Sequence, residues 1–146
     1  MITQTLSEFF ERDLLKLKEE ITSYADESKI WVIHGDIKNS AGNLTLHLIG
    51  NINHFIGAIL GKSGYMRERD REFSDKNIPR DLLIANIDKT ILVVKNTLRD
   101  INDDMLYKDY PIEKHGKIVT IEHMLLHLLS HLNYHLGQVN YHRRLL

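Results

Sequence analysis

Cysteine is absent from all 146 residues. That excludes a disulfide framework, Cys-ligated zinc, an iron–sulfur cluster and a thiol nucleophile supplied by the protein. Proline occurs only twice. Neither sign of charge dominates: 19 Lys and Arg against 20 Asp and Glu leave a net charge of −1, with no broad electrostatic footprint for nucleic acid. No apolar run approaches the roughly 18–20 residues of a membrane span. The stretch from Met1 to Glu20 is charged and amphipathic, unlike a signal peptide. The expectation is a soluble cytoplasmic protein with neither nucleic-acid nor membrane partners. What is present is ordinary for a globular chain: 42% hydrophobic and 27% charged residues argue against wholesale disorder. The length suits one domain, residues 1–146, able to bury a real core.

The apolar periodicity predicts an all-α protein. Leu6, Phe9, Phe10, Leu14, Leu17, Ile21 and Tyr24 recur at steps of three and four, the stripe of an amphipathic helix over about 2–26. Ser28 to Asn39 breaks that pattern, and its run Ile30-Trp31-Val32-Ile33 reads as a packed loop plugging one end of the core. A second helix is expected over about 43–60, apolar around much of its circumference. Gly50, Gly57 and Gly61 lie on it or at its end; each costs helix stability unless a neighbour approaches closely. The charged connection Tyr65 to Asp75 reads first as a solvated loop, and more sharply as an anion or partner site shaped by Arg67, Arg69 and Arg71. Pro79 opens a third helix whose stripe is Ile84, Ile87, Ile91, Val94, Leu98 and Ile101. Asp103 to Lys117 is a long polar connection with an extended stretch or short hairpin, and Thr120 caps a last helix over about 121–144. Long connections between helices 2 and 3 and between helices 3 and 4 permit crossovers in a four-helix bundle. The stripe on helix 1 and the glycine-spaced face of helix 2 read as core rather than as an interface between copies.

Histidine is abundant, nine in the chain, and His123, His127, His131 and His135 follow one another at spacings of four. Residues four apart on a helix have Cβ atoms about 5–6 Å apart, so two imidazoles can converge on one metal ion. His127 and His135 are separated by about 12 Å along the axis, too far for three successive rings to share an ion bound at about 2.0–2.1 Å. Two ligands should come from this helix and a third from another segment, with His47 and His54 on helix 2 as donors. Spacing alone does not choose between those two, nor among the pairs on the last helix. Most of the nine histidines are expected to be hydrogen-bonded or surface imidazoles.

The stretch His131-Leu-Asn-Tyr-His135-Leu-Gly-Gln138 resembles the His-x-x-x-His-x-Gly-Gln signature of the DinB-like (DinB/YfiT) superfamily. Asn39-Ser-Ala-Gly-Asn43-Leu-Thr-Leu-His47-Leu-Ile-Gly-Asn51 is similar to the first-histidine motif of one branch. Tyr65-Met-Arg67-Glu-Arg69-Asp-Arg71-Glu-Phe73 is similar to that branch's inter-helix loop. The resemblance implies a four-helix bundle in up-down-down-up order, often a homodimer. It also implies a divalent metal ion (zinc, nickel, iron or manganese) held by His47, His131 and His135. His54 and His127 then become neighbours of the centre, with Asn51, Asn133 and Gln138 as hydrogen-bond partners for ligand rings.

A three-His site leaves coordination positions free for water or substrate, the pattern of catalytic zinc. Relatives in the superfamily include transferases and isomerases that depend on low-molecular-weight thiols. The resemblance therefore implies a small thiol bound as thiolate that attacks an electrophile, with the arginines at 67, 69 and 71 contacting an anionic group. The runner-up is a metal-dependent hydrolase. It suffers because Glu122 is the only carboxylate on the last helix, a turn or more from His131, and such a mechanism usually benefits from a carboxylate base. A third reading is a non-catalytic metal- or ligand-binding stress protein.

Overall fold

Leucine and phenylalanine on one face make α1 (Ile2–Thr22), which buries Leu6, Phe10, Leu14, Leu17 and Ile21. The computed structural model describes residues 1–146; apart from two isolated β-bridges, its regular elements are helical. Phe9, grouped with this stripe by its spacing, lies about a quarter-turn off the centre of the buried face. It is exposed, with the Arg12 guanidinium carbon 4.4 Å from its ring centroid. The helix also ends sooner than periodicity suggests. The hydroxyls of Thr22 and Ser23 turn back onto the carbonyls of Lys18 and Glu19, both at 2.7 Å, and Asp26 caps a separate 3-10 turn, Glu27–Trp31. In the loop beyond, Ile30 is fully buried, Trp31 is half-buried and Ile33 points to solvent.

Ser40 caps α2 (Ala41–Ile52), accepting from the Asn43 backbone N–H at 3.1 Å. The same rod continues as a π-helical run, Asn53–Leu60. Next come α3 (Arg69–Ser74), α4 (Arg80–Arg99) and α5 (Ile121–Leu145). The short α3 occupies the charged connection that reads as a solvated loop, and it buries one residue, Glu72. Pro79 immediately precedes α4, and Thr120 caps α5 by accepting from the His123 N–H.

Contacts along the helices give their directions. Glu11 with Lys95 and Lys18 with Asp88 run α1 and α4 antiparallel. Asp13 with Asn133 and Glu20 with Arg143 run α1 and α5 parallel. Asn53 bonds Thr90 at 2.8 Å, and β-carbons added at Gly57 and Gly61 would press on Val93 and Thr97, so α2 and α4 run parallel and very close. The helix-1 stripe and the helix-2 glycines are therefore both used within the chain.

The α4–α5 connection is organised rather than loose. After a 3-10 turn, Asp103–Tyr107, the chain doubles back through bridges between Asp109 and Thr120 and between Lys114 and Lys117. His115 and Gly116, at φ of +49° and +76°, form the tight turn between the last pair. Tyr110 is buried, and its hydroxyl donates to the Phe55 carbonyl at 2.7 Å, which pins this arm to the π-helical run.

Candidate metal centre

α2 and α5 run antiparallel: Leu44 shares a cavity with Gln138 and Tyr141, while His47 three residues on meets His131 and His135. His47 is buried on α2, and the other two rings stand one turn apart on α5. His131 Nε2 lies 3.2 Å from His47 Nε2 and 3.2 Å from His135 Nε2. One nitrogen of each ring lies within 4.8 Å of the others, a group that could hold a metal ion. The rings meet edge to face, with interplanar angles of 78°, 87° and 89°.

The outer nitrogens fix which way two of these rings present their lone pairs. His47 Nδ1 donates to the Glu72 carboxylate at 3.0 Å, and His135 Nδ1 donates to Gln138 Oε1 at 2.7 Å. An imidazole that donates from Nδ1 offers a bare lone pair at Nε2. Two lone pairs thus point at the Nε2 of His131, whose own Nδ1 is buried without a partner. Such convergence of neutral nitrogen donors suits a divalent cation, and carboxylate- or amide-backed imidazoles are the usual supports of metal ligands. Burial first, then the neighbouring His135 and His47, pushes His131 down to about 4. Burial also lowers His135, against the opposing hydrogen bond to Gln138. Both rings are therefore neutral at pH 7, the protonation state a metal requires.

Glu72 belongs to this centre, although its place in a charged tract among arginines gives it the look of a solvated residue. Its Oε1 accepts from His47 and from Arg67 Nη2 (2.8 Å), and its Oε2 accepts from Arg67 Nε (2.8 Å). Burial pushes this carboxyl up, but the hydrogen bonds from Arg67 and His47 outweigh it and hold it below the usual carboxylate range. Gly50, on the His47 face of α2, makes the room: a β-carbon there would overlap Glu72 Oε2. Buried Asn43 donates to the carbonyls of Glu72 and Asp75 at 2.9 and 2.8 Å, tying α3 to the start of α2. The available signal was a glycine three residues after a histidine on a buried helix, opposite a tract in which carboxylates alternate with arginines.

The three arginines of that tract diverge. Arg67 clamps Glu72, and its Nη2 also lies 3.4 Å from His47 Nδ1. Arg69 is exposed over the Phe73 ring at 5.3 Å, and exposed Arg71 pairs with Glu68 and Asp75. They form no common anion pocket, because each has a nearer partner on its own segment. Asn133 likewise bonds Asp13 and the Leu129 carbonyl rather than a ring of the centre.

The sequence matches the family model described as a protein of unknown function, DUF1572, over residues 4–146. The chain belongs to that family. No curated protein matches it significantly. In this DUF1572 protein the family match spans the whole centre, from His47 through Glu72 to His135. On one side of the centre a cavity of about 540 Å³ opens beside His135 and Gln138, lined also by Leu44, Tyr134 and Tyr141. On the other side stand His127, stacked on His131 with centroids 6.5 Å apart, and Asn51 and His54 further along α2. Burial lowers both His54 and His127; Arg67 adds to the shift at His54, and Lys114 to that at His127. Asn51 Oδ1 is buried and has no hydrogen-bond partner. His142 plays no part in the centre: its Nε2 donates to the Val32 carbonyl at 2.8 Å and its Nδ1 accepts from the Tyr24 hydroxyl.

Proposed function

We propose that this DUF1572 protein is a DinB-like metalloprotein that transfers a low-molecular-weight thiol to an electrophile at the His47, His131 and His135 centre. The observation that carries the reading is the convergence of three imidazole nitrogens on one point, with two outer nitrogens anchored by Glu72 and Gln138. Helix directions support the up-down-down-up bundle of that superfamily: α1 and α5 run one way, α2 and α4 the other.

A divalent cation bound here supplies positive charge that lowers the pKa of a thiol or water beside it. His47, His131 and His135 would hold it. Glu72 and Gln138 keep two of those rings aimed inward, and Arg67 keeps Glu72 in place. The cavity beside His135 offers space for a small electrophile between Leu44, Tyr134 and Tyr141. The reaction is a substitution: the thiol releases its proton to solvent, a carbon–sulfur bond forms, and the carbon–leaving-group bond breaks with its electron pair going to the leaving group. Since the chain has no cysteine, the sulfur comes from the co-substrate.

Glu72 bears on the choice between thiol transfer and hydrolysis. It lies on the Nδ1 side of His47, and both its oxygens are engaged by His47 and Arg67. It orients a ring and is poorly placed to take a proton from water on the far side of that ring, which favours thiol transfer.

The test is conjugation by zinc-loaded protein of a panel of small thiols to a bromobimane electrophile, followed by mass spectrometry. The expected result is a metal-dependent conjugate above the uncatalysed rate, lost in His131→Ala. Ester turnover that needs metal but no thiol, or no conjugation with any thiol, would overturn the reading.

A further inference from the structure

The cavity beside His135 changes in chemistry along its length. Tyr134, Gln138, Tyr141 and Leu145 line it at steps of four, three and four, so they share one face of α5. From Tyr134 to Leu145 that face runs about 16 Å, at 1.5 Å per residue.

At one end the cavity borders the centre, because the His135 ring is both one of its walls and a member of the three-His group. Tyr134 stands beside that ring, with centroids 5.2 Å apart and planes at 70°. Gln138 accepts from His135 Nδ1 through Oε1, at 2.7 Å, and its Nε2 donates to no group of the chain. An amide donor is therefore free next to a metal-binding ring.

Away from the centre the walls are apolar: Ile37, Leu44, Tyr141 and Leu145. Tyr141 is 65% and Leu145 78% exposed, so the fold leaves both side chains largely uncovered on a concave surface. The charged lining does not favour either sign. Asp36 and Lys38 are exposed and opposite, and both nitrogens of His142 are already engaged. The bond from His142 to the Val32 carbonyl also steadies the loop wall. So does a tight turn in which the Ile37 N–H donates to the His34 carbonyl at 3.3 Å, with Gly35 at φ +60°. A cavity with apolar walls and few directed polar groups, of about 300–1,000 Å³, is the usual form of a small-molecule site.

We propose that this cavity binds an uncharged molecule with a carbonyl head and an apolar or aromatic body. The carbonyl oxygen would accept from Gln138 Nε2, and the body would lie along Tyr141 and Leu145. In the thiol-transfer reading, on which this step rests, the molecule is the electrophile and reacts at the carbon next to the carbonyl. For an N-substituted 2-bromoacetamide, sulfur bonds to that carbon, the carbon–bromine bond breaks with its electron pair going to bromide, and the thiol proton passes to solvent.

NMR titration of the zinc-loaded protein with N-benzylacetamide and N-methylacetamide tests the cavity without any thiol. The benzyl compound should bind about tenfold or more tighter. Tyr141→Ser should erase that preference. Leu126→Ser, also exposed on α5 but outside the cavity, should leave it intact. Gln138→Glu keeps an acceptor for His135 and removes the donor, so it should weaken N-benzylacetamide about fivefold with zinc content unchanged. No preference in the native protein, one that survives Tyr141→Ser, or full affinity in Gln138→Glu would overturn the assignment.

Conjugation then separates the two readings. With 2-mercaptoethanol, free cysteine or 3-mercaptopropionate, N-benzyl-2-bromoacetamide should show a kcat/KM about tenfold above that of 2-bromoacetamide, and Tyr141→Ser should remove the difference. Equal values in the native protein would overturn the placing of the electrophile here. If no thiol gives either conjugate, the thiol-transfer reading fails by itself, and the titration still decides what the cavity binds.

Discussion

His47 donates from Nδ1 to Glu72 Oε1 at 3.0 Å across 25 residues of chain, so a carboxylate on α3 sets the orientation of a ring on α2. The relationship makes α3 part of the centre. It also explains why a short charged tract folds into a helix with one buried residue: Arg67 neutralises the carboxylate, and Asn43 anchors the backbone behind it.

Replacing Glu72 with Gln should therefore act on metal affinity more than on folding. Loss of a partner behind a ligating imidazole typically weakens metal binding about 10–100-fold. Competition with a chelator should show a drop of that order for zinc, with helical content unchanged. Native affinity in Glu72→Gln would remove the carboxylate from this role.

Gly50→Ala separates propensity from space. In an unhindered helix interior the change would stabilise the protein by about 1 kcal/mol. Here the new β-carbon would overlap Glu72 Oε2 and push the carboxylate off His47. The expected outcome is zinc affinity reduced about tenfold, approaching that of Glu72→Gln. A protein that melts higher and binds metal normally would show that the carboxylate is free to move.

Histidines with different partners should respond differently. His131→Ala and His135→Ala should lose stoichiometric metal in elemental analysis. His142→Ala should keep it, yet lose about 1–3 kcal/mol of stability, because the Tyr24 hydroxyl and the Val32 carbonyl would be left without their partner. Denaturant unfolding measures the second effect, and full metal content in His131→Ala would count against the ligand set.

Acid should weaken the seam between α1 and α5 early. Burial raises the Glu20 carboxyl, but hydrogen bonds from Arg143 and Asn140 outweigh it and leave it below the ordinary 4.5. A carboxyl depressed in the folded state contributes stability that is present above its unfolded pKa and lost as pH falls through the folded one. Between those two values the unfolded chain takes up the proton first. Glu20→Gln should be less stable than the native protein near neutrality, and the difference should shrink below about pH 4 in urea melts at stepped pH. A constant difference across that range would overturn the assignment.

Much of this architecture was legible because it rests on local periodicity. The helices at 2–22, 80–99 and 121–145 lie within a few residues of their apolar stripes, and Thr120 caps α5 where its position implied. The pairing of His131 with His135 follows from a spacing of four on one helix. What periodicity could not carry is contact between distant segments. Glu72 reads as solvated among arginines until α3 is laid against Gly50, and Lys114 reads as a loop lysine until Tyr110 pins its arm to Phe55. The π-helical run at 53–60 was equally hidden, since its composition is that of an ordinary buried α-helix.

His47 and His131 are 84 residues apart in the chain, and their Nε2 atoms stand 3.2 Å from each other. An ion gripping both would close a loop of that length, as a covalent cross-link would. Cross-linking a loop of this size removes unfolded-chain entropy worth about 4–5 kcal/mol in the chain-entropy account. In a protein without a single cysteine, the histidine triangle is thus positioned to act as a staple that a chelator can undo, making the melting temperature itself a gauge of metal supply.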